Sequence, residues 1–226
     1  MNRFIIASLL FLGAVSFVAS DSFAQEFAQP YKKYEFGPFG SAGLSVFQGE
    51  VPDGSKTDVH VAFTFGAMGA LTFNPDWGVA LALGYESRGM YFHEQAKDIP
   101  NQDFSINYLS IQPSLKFKSF LLGINIGVPM GGTAKVTNAF GTSSADIPDS
   151  SMNTIIDIRA AGLLPIVEND MGNLDFYIQA SYCISDAIGG GGFLTAGQTT
   201  GTPVTNSPLP TLQIGLAYLF SPGGKQ

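Results

Sequence analysis

The amino-acid sequence predicts an all-β fold: an eight-stranded antiparallel up-and-down transmembrane β-barrel with short periplasmic turns and four longer extracellular loops. Three observations lead to this prediction. Apolar residues alternate with small or polar residues along eight segments, as in strands with two unlike faces. Only 13% of the residues are charged and 45% are hydrophobic, whereas soluble domains average roughly 25% charged residues. The connections between segments alternate between long and short, as in outer-membrane barrels.

The first 24 residues are predicted to be a secretory signal peptide. A short positively charged start is followed by an apolar run over residues 4–18, and small residues precede a cleavage site between Ala24 and Gln25. A membrane anchor is the alternative, but the run is short for a helix that spans a bilayer. Residues 25–36 are then expected to form a periplasmic lead-in to the barrel.

The barrel is expected to occupy residues 37–220, with a C-terminal tail over residues 221–226. The eight predicted strands cover approximately residues 39–47, 59–73, 78–92, 104–117, 120–130, 153–164, 174–186 and 211–220. Turn chemistry at Asn74-Pro75-Asp76-Trp77 and a tight link at Lys118-Ser119 provide short connections, and a third lies around residues 168–173. The long connections, expected to lie outside the cell, are residues 48–58, 93–103, 131–152 and 187–210.

Charged residues in the predicted strands all lie on one face, and the apolar face carries none. An Arg or Lys that faces lipid at the middle of the bilayer costs about 2–4 kcal/mol, so the apolar face is expected to contact lipid. A soluble, lipocalin-like barrel would have the reverse arrangement. The polar face then fills the lumen with a structural network of Glu86, Arg88, Gln112, Lys116, Asn125, Asp157, Arg159, Asp175 and Gln179. Inward glycines are expected to make room for these side chains, at Gly66, Gly84, Gly123, Gly127 and Gly215.

Aromatic residues near the strand ends are expected to form two belts at the membrane interfaces. The belt on the turn side would contain Phe39, Phe73, Trp77, Phe117 and Phe120. The belt on the loop side would contain Phe47, Tyr91, Phe92 and Phe104.

Three segments resemble the PorT-like outer-membrane β-barrel family, whose architecture is that of small OmpX/OmpA-type barrels. The stretch LGYESRGMYF is similar to the third strand of that family, and GINIGVPMGG to its glycine-rich fifth strand. The stretch NYLSIQPSLKFK resembles the strand between them at Tyr108, Leu109, Ile111, Leu115, Lys116 and Phe117, and departs at Ser110 and at Gln112-Pro113. The resemblance implies the fold and an outer-membrane location. The terminal LQIGLAYLF also resembles the signal read by the barrel-insertion machinery.

Few residues point to catalysis or to a bound cofactor. His93 with Glu94 and a loop serine could form the site of a lipid-modifying enzyme at the rim, but no nucleophile elbow is present, so His60 and His93 are interpreted as exposed loop residues. No metal-ligand spacing occurs, and no cofactor is expected. The single cysteine, Cys183, is interpreted as a small filler of the lumen.

The sequence therefore predicts a non-enzymatic barrel with a structural or interaction role. A narrow porin-like channel and an accessory component of a secretion or assembly complex are the alternatives, with the lipid-modifying enzyme a more remote one. The expected partners are outer-membrane lipid, the barrel-insertion machinery and a protein that contacts loops 131–152 and 187–210. A net charge of −7 argues against nucleic acid as a partner.

Overall fold

The computed structural model describes residues 33–48, 55–94, 101–138, 140–169, 171–188 and 209–222. The expected signal peptide, its cleavage site at Ala24 and Gln25, and most of loop 187–210 lie outside these residues. Within the described residues the chain forms ten strands: β1 (Lys33–Ser45), β2 (Ser55–Asp58), β3 (His60–Thr72), β4 (Trp77–Glu94), β5 (Asn101–Phe117), β6 (Phe120–Asn138), β7 (Gly141–Asp146), β8 (Ile155–Asn169), β9 (Gly172–Cys183) and β10 (Thr211–Phe220). A short 3₁₀ turn, Asp149–Ser151, precedes β8.

Eight of these strands pair antiparallel with their neighbours and close into a ring. The order around the ring is β1, β3, β4, β5, β6, β8, β9 and β10, and β10 pairs with β1. The prediction of an eight-stranded antiparallel barrel is confirmed. The short turns lie at one end of the ring, called here the turn end, and the opposite end is called the loop end.

Two short strands lie in segments that were expected to be loops. The strand β2 pairs with the loop-end part of β4, and β7 pairs with an extension of β6 that reaches Asn138. Their sequences, SKTD and GTSSAD, have no apolar alternation because neither strand has an apolar layer on one side. Periodicity therefore could not predict them.

The strands are strongly staggered. Paired residues can be followed once around the ring from Tyr34 through Leu71, Val79, Leu115, Leu122, Ala160, Ala180 and Leu212. This path returns to β1 at Leu44, ten residues beyond Tyr34. A stagger of ten residues over eight strands corresponds to a strand tilt of about 40°, so each residue advances about 2.5 Å along the barrel axis.

The first strand begins earlier than predicted. Residues 33–36, assigned from the sequence to the lead-in, belong to β1. Tyr34 and Phe36 point outward and are more than half exposed, whereas Glu35 points inward and is 4% exposed. The alternation of the strand is thus already present in the segment KYEF. By contrast, β10 has the bounds that the sequence predicted.

The outer face of the ring is apolar. On β3 the outward residues run from Val61 through Phe63, Phe65 and Ala67 to Leu71, a height of about 25 Å at about 2.5 Å per residue. Among the ring-strand side chains that the structure describes, exposed charged residues occur only near strand ends, at Lys135 in the β6 extension and at Glu168 in β8. The apolar face is therefore continuous around the ring.

The two aromatic belts are only partly present. At the turn end, Trp77, Phe117 and Phe120 are exposed, as expected, and Tyr34, Phe36 and Phe220 join them. The prediction was wrong for Phe39, Phe47, Phe92 and Phe104, which are buried inside the ring. The error is in the face assigned to these residues. Phe92 lies two residues after Met90 and four after Arg88, both of which point inward, so alternation places Phe92 on the inward face as well.

Candidate functional site: the filled lumen

Side chains fill the interior of the ring in four layers along the axis. The inward residues of β1 and the segment after it pass through all four: Glu35 at the turn-end mouth, Phe39 in a lower apolar layer, Ser41 in a polar layer and Phe47 in an upper apolar layer. The lower apolar layer also contains Met68, Leu121, Leu163, Tyr177 and Leu219. The upper one contains Met90, Phe92, Phe104, Ile106, Tyr108, Met152, Ile155, Cys183 and Leu209.

The centre of the polar layer is Arg88, which is fully buried. Its Nε donates to Glu86 Oε1 at 2.7 Å, its Nη1 to the Leu209 carbonyl oxygen at 3.1 Å and its Nη2 to Asp157 Oδ2. Asn125 Nδ2 donates to Glu86 Oε2 at 2.9 Å and to Asp157 Oδ2 at 2.8 Å. Residues of β4, β6 and β8 are therefore connected across the interior.

Two neutral side chains extend this network onto β5. Ser110 Oγ donates to Asn125 Oδ1 at 2.8 Å, and Gln112 Nε2 donates to Ser110 Oγ at 2.7 Å. Both residues are buried, so the hydrogen bonds connect β5 to the charged centre without adding a charge.

A second centre forms around Arg159 on β8. Its Nε donates to Gln179 Oε1 at 2.7 Å, its Nη1 to Ser114 Oγ at 2.9 Å and its Nη2 to the hydroxyl oxygen of Tyr177. No carboxylate of the described residues lies within ion-pair distance of Arg159. The direct partners of this buried guanidinium are neutral.

Charge is nevertheless balanced in the polar layer. The layer contains two carboxylates, Glu86 and Asp157, and two guanidinium groups, Arg88 and Arg159. All four residues are at most 1% exposed. An isolated buried ion is far more costly than a paired one. The layer therefore has the composition expected of a structural plug.

Three buried glutamines of the lumen each keep one amide atom without a protein partner among the described residues. These atoms are Gln112 Oε1, Gln179 Nε2 and Gln213 Nε2. The opposite amide atom of Gln213 is occupied, because Ser41 Oγ and Thr64 Oγ1 donate to its Oε1 at 2.6 and 2.9 Å. Buried polar atoms of this kind are usually satisfied by ordered water, so we expect water within the polar layer.

The turn-end mouth holds a separate charged cluster. Lys116 Nζ lies 2.7 Å from Glu35 Oε2, and Lys33 Nζ lies 2.8 Å from Glu35 Oε1. Asn173 Nδ2 donates to Glu35 Oε1 at 3.4 Å, and Asp175 is buried beside them. The lower apolar layer separates this cluster from the polar layer.

The structure brings together seven of the nine network residues predicted from the sequence, and it places Lys116 and Asp175 apart from them at the mouth. Sequence reasoning missed Glu35, although the alternation in KYEF was a usable signal. It also missed the neutral partners Ser110, Ser114, Tyr177 and Gln213, because alternation along a strand does not show which inward hydroxyl and amide groups meet a buried charge or another amide. The two apolar layers were not predicted either, since the inward face was read as polar throughout.

Most of the inward glycines have a role other than the predicted one. A Cβ on Gly66 would lie 2.1 Å from the Leu83 carbonyl oxygen, and one on Gly84 would lie 2.6 Å from the Phe65 carbonyl oxygen. The obstacle is the backbone of the paired strand, so these glycines permit close approach of strands in a tightly curved ring. Gly127 does make room for a side chain, since its Cβ would lie 2.6 Å from Ile155 Cγ1.

The two histidines lie at the loop end. His60 Nε2 is 3.1 Å from Asp103 Oδ1, and His93 Nδ1 is 3.9 Å from Asp58 Oδ2. No serine hydroxyl of the described residues hydrogen-bonds to either ring. Cys183 lies in the upper apolar layer, where its thiol donates to the Ser185 carbonyl oxygen at 3.1 Å.

Within the same described ranges, no group of three or more potential metal ligands was found. Nor does any helix there have the length and apolar character needed to cross a membrane.

Comparison with known proteins gave similarity to solved structures. No protein-family model matches the chain, and no curated protein matches its sequence. The chain is similar to Ail, the attachment invasion locus protein of Yersinia pestis, at 20% identity, over 83% of this chain and 99% of that one, with a TM-score of 0.41. The neisserial surface protein NspA has 13% identity, 81% and 96% coverage and a TM-score of 0.40. OprG of Pseudomonas aeruginosa has 8% identity, 86% and 97% coverage and a TM-score of 0.38.

Proposed function

We propose that this protein is a non-enzymatic, integral outer-membrane β-barrel with a closed lumen, and that its loops carry its interactions. The observation that carries the proposal is that the outer face of the ring is continuously apolar, whereas the buried charged side chains lie in its interior. An outward apolar band about 25 Å tall is the dimension found in outer-membrane barrels. In water such a band would be an exposed apolar surface far larger than soluble monomers carry.

The filling of the lumen supports the closed state. An eight-stranded barrel has an interior just wide enough to be packed with side chains. Here the polar layer lies between two apolar layers, with Tyr177 and Leu219 in the lower one and Met90 and Phe104 in the upper one. A hydrated ion would have to pass both apolar layers and displace the Arg88 ion pairs. This favours an interaction role over the narrow porin-like channel.

The ends of the barrel differ in a way that supports its orientation. The turn end has short connections and the start of β1, and the loop end has the strands β2 and β7. Outer-membrane barrels place short turns in the periplasm and longer loops outside. Loops 131–152 and 187–210 are therefore proposed as the surface that contacts an extracellular or membrane partner. The resemblance of β4 to β6 to PorT-like barrels agrees with this location.

Two measurements on the purified protein test the proposal. In the first, boiled and unboiled samples are compared by gel mobility, and we expect a shift because a closed barrel stays folded in detergent until heated. Equal mobility, with solubility in the absence of detergent, would contradict the membrane location. In the second, the protein is reconstituted into planar bilayers, and we expect no steady current. A reproducible steady conductance would contradict the closed lumen and favour the channel.

A further inference from the structure

The turn-end mouth contains an open recess of about 300 Å³, on the side of the barrel opposite to the loops. Glu35, Lys116, Asn173 and Asp175 line its inner wall, and Asp76 and Lys118 lie at its rim. The volume corresponds to about ten water molecules at about 30 Å³ each. It therefore accepts a small group or a single side chain but not a folded domain.

The carboxylate of Asp175 has no direct partner among the described residues. The residue is 5% exposed, and its carboxylate oxygens make no hydrogen bond and no ion pair there, although Lys116 and Lys33 attract the charge from a longer distance. Its carboxylate is nonetheless part of the recess wall. Buried carboxylates are almost always paired, so this arrangement requires an explanation.

The nearby cations are already engaged by another acid. Both Lys33 and Lys116 direct their ammonium groups to the two oxygens of Glu35, at 2.8 and 2.7 Å. The side-chain amide of Asn173 also donates to Glu35, at 3.4 Å. Glu35 thus takes three donors of the mouth, and Asp175 takes none.

Each lysine of the described recess wall lies beside an acid other than Asp175. Lys33 and Lys116 contact Glu35, and Lys118 Nζ lies 3.6 Å from Asp76 Oδ1. A further ammonium group would give Asp175 a direct partner. An ammonium group also supplies three hydrogen-bond donors, and charge-assisted hydrogen bonds to a carboxylate are the stronger kind.

The geometry points to a binding site for one primary ammonium group, carried on a slender chain that enters the turn-end recess, with Asp175 as its counter-ion. Two sources have this chemistry: a lysine side chain of an extended peptide and a free polyamine. The site is reached from the aqueous turn end, and it does not depend on what the loops at the other end bind.

The experiment titrates the full protein in alkyl maltoside micelles with two probes, the peptide acetyl-Gly-Lys-Gly-amide and putrescine. Phosphate buffer is used, because Tris is itself a primary amine. The side-chain amide signal of Asn173 in the ¹H–¹⁵N spectrum reports occupancy. We expect a saturable shift with at least one probe and none with the same peptide acetylated on its lysine. Tighter binding of the peptide identifies a lysine side chain as the ligand, and tighter binding of putrescine identifies a polyamine.

Two variants separate a specific counter-ion from general attraction. We expect Asp175→Asn to weaken binding at least tenfold. The matched control is Asp76→Asn, which removes the same charge from the same recess but from an exposed side chain that lies 3.6 Å from Lys118 Nζ; it should change the affinity less than twofold. Equal losses in the two variants would overturn the proposal. So would the absence of a saturable shift in the wild-type protein, a result that needs no variant to fold.

Discussion

Arg88 on β4 and Asp157 on β8 form an ion pair through the interior of the barrel, and both side chains are fully shielded from solvent. The two strands are separated in the ring by β5 and β6. The pair therefore connects opposite parts of the wall, and Asn125 between them donates to the same Asp157 oxygen at 2.8 Å.

Removing one member of this pair should be strongly destabilising. Asp157→Asn leaves the Arg88 guanidinium with one carboxylate, and breaking a buried pair typically costs about 3–5 kcal/mol. Urea unfolding in lipid vesicles, followed by tryptophan fluorescence, measures the change in the free energy of unfolding. The control is Asp76→Asn, whose surface pair should contribute less than about 1 kcal/mol. Similar losses in the two variants would show that the buried network has no special role in stability.

The lower apolar layer should act as the seal of the lumen. Phe39 and Tyr177 pack edge to face, with ring centroids 5.7 Å apart. The double variant Phe39→Ala, Tyr177→Ala should open a water path from the mouth to the polar layer, so the side-chain amide protons of Asn125 and Gln179 should exchange with solvent faster than in the wild type. The upper apolar layer remains in place, so no steady current is expected. A comparable double truncation on the outer face, Leu81→Ala with Leu83→Ala, should leave the exchange rates unchanged. Equal exchange rates in the wild type and the Phe39, Tyr177 variant would contradict the seal.

Glycine at position 66 should be required for the ring to close. A methyl group there would lie 2.1 Å from the Leu83 carbonyl oxygen, so Gly66→Ala must displace the backbone of β4. Overpacking of this kind costs about 1–3 kcal/mol. The matched variant is Gly40→Ala, where the nearest atom would be 3.9 Å away. The folded fraction after refolding into micelles, read from gel mobility, should fall for Gly66→Ala alone; equal yields would refute the requirement.

A charge on the outer face should distinguish lipid from water as the surroundings. Leu83 points outward about midway along β4, and an arginine facing lipid near the bilayer centre costs about 2–4 kcal/mol. We expect Leu83→Arg to lower the free energy of unfolding in vesicles by about that amount. Thr142→Arg, on the exposed strand β7, should be neutral. If both variants were neutral, the outer face would not contact lipid.

The sequence by itself determined the class of the fold, the number of strands in the ring and the side of each strand that faces outward. These properties follow from an alternation with a period of two, which is local. The bounds of β10 and the inward direction of Glu86, Arg88, Asp157 and Arg159 were available from that alternation. Phe92 and Phe104 were expected in an outer aromatic belt, although alternation along their strands places them on the inward face.

The tertiary structure decided which inward side chains meet. The stagger of ten residues around the ring sets the height of each strand relative to the others. That stagger brings Arg88 to Asp157, leaves Arg159 with neutral partners and places Glu35 rather than Asp175 beside Lys116. It also sorts the inward residues into apolar and polar layers. Alternation along one strand contains no information about height relative to a strand on the other side of the lumen, and this is the physical reason that only the closed ring could decide it.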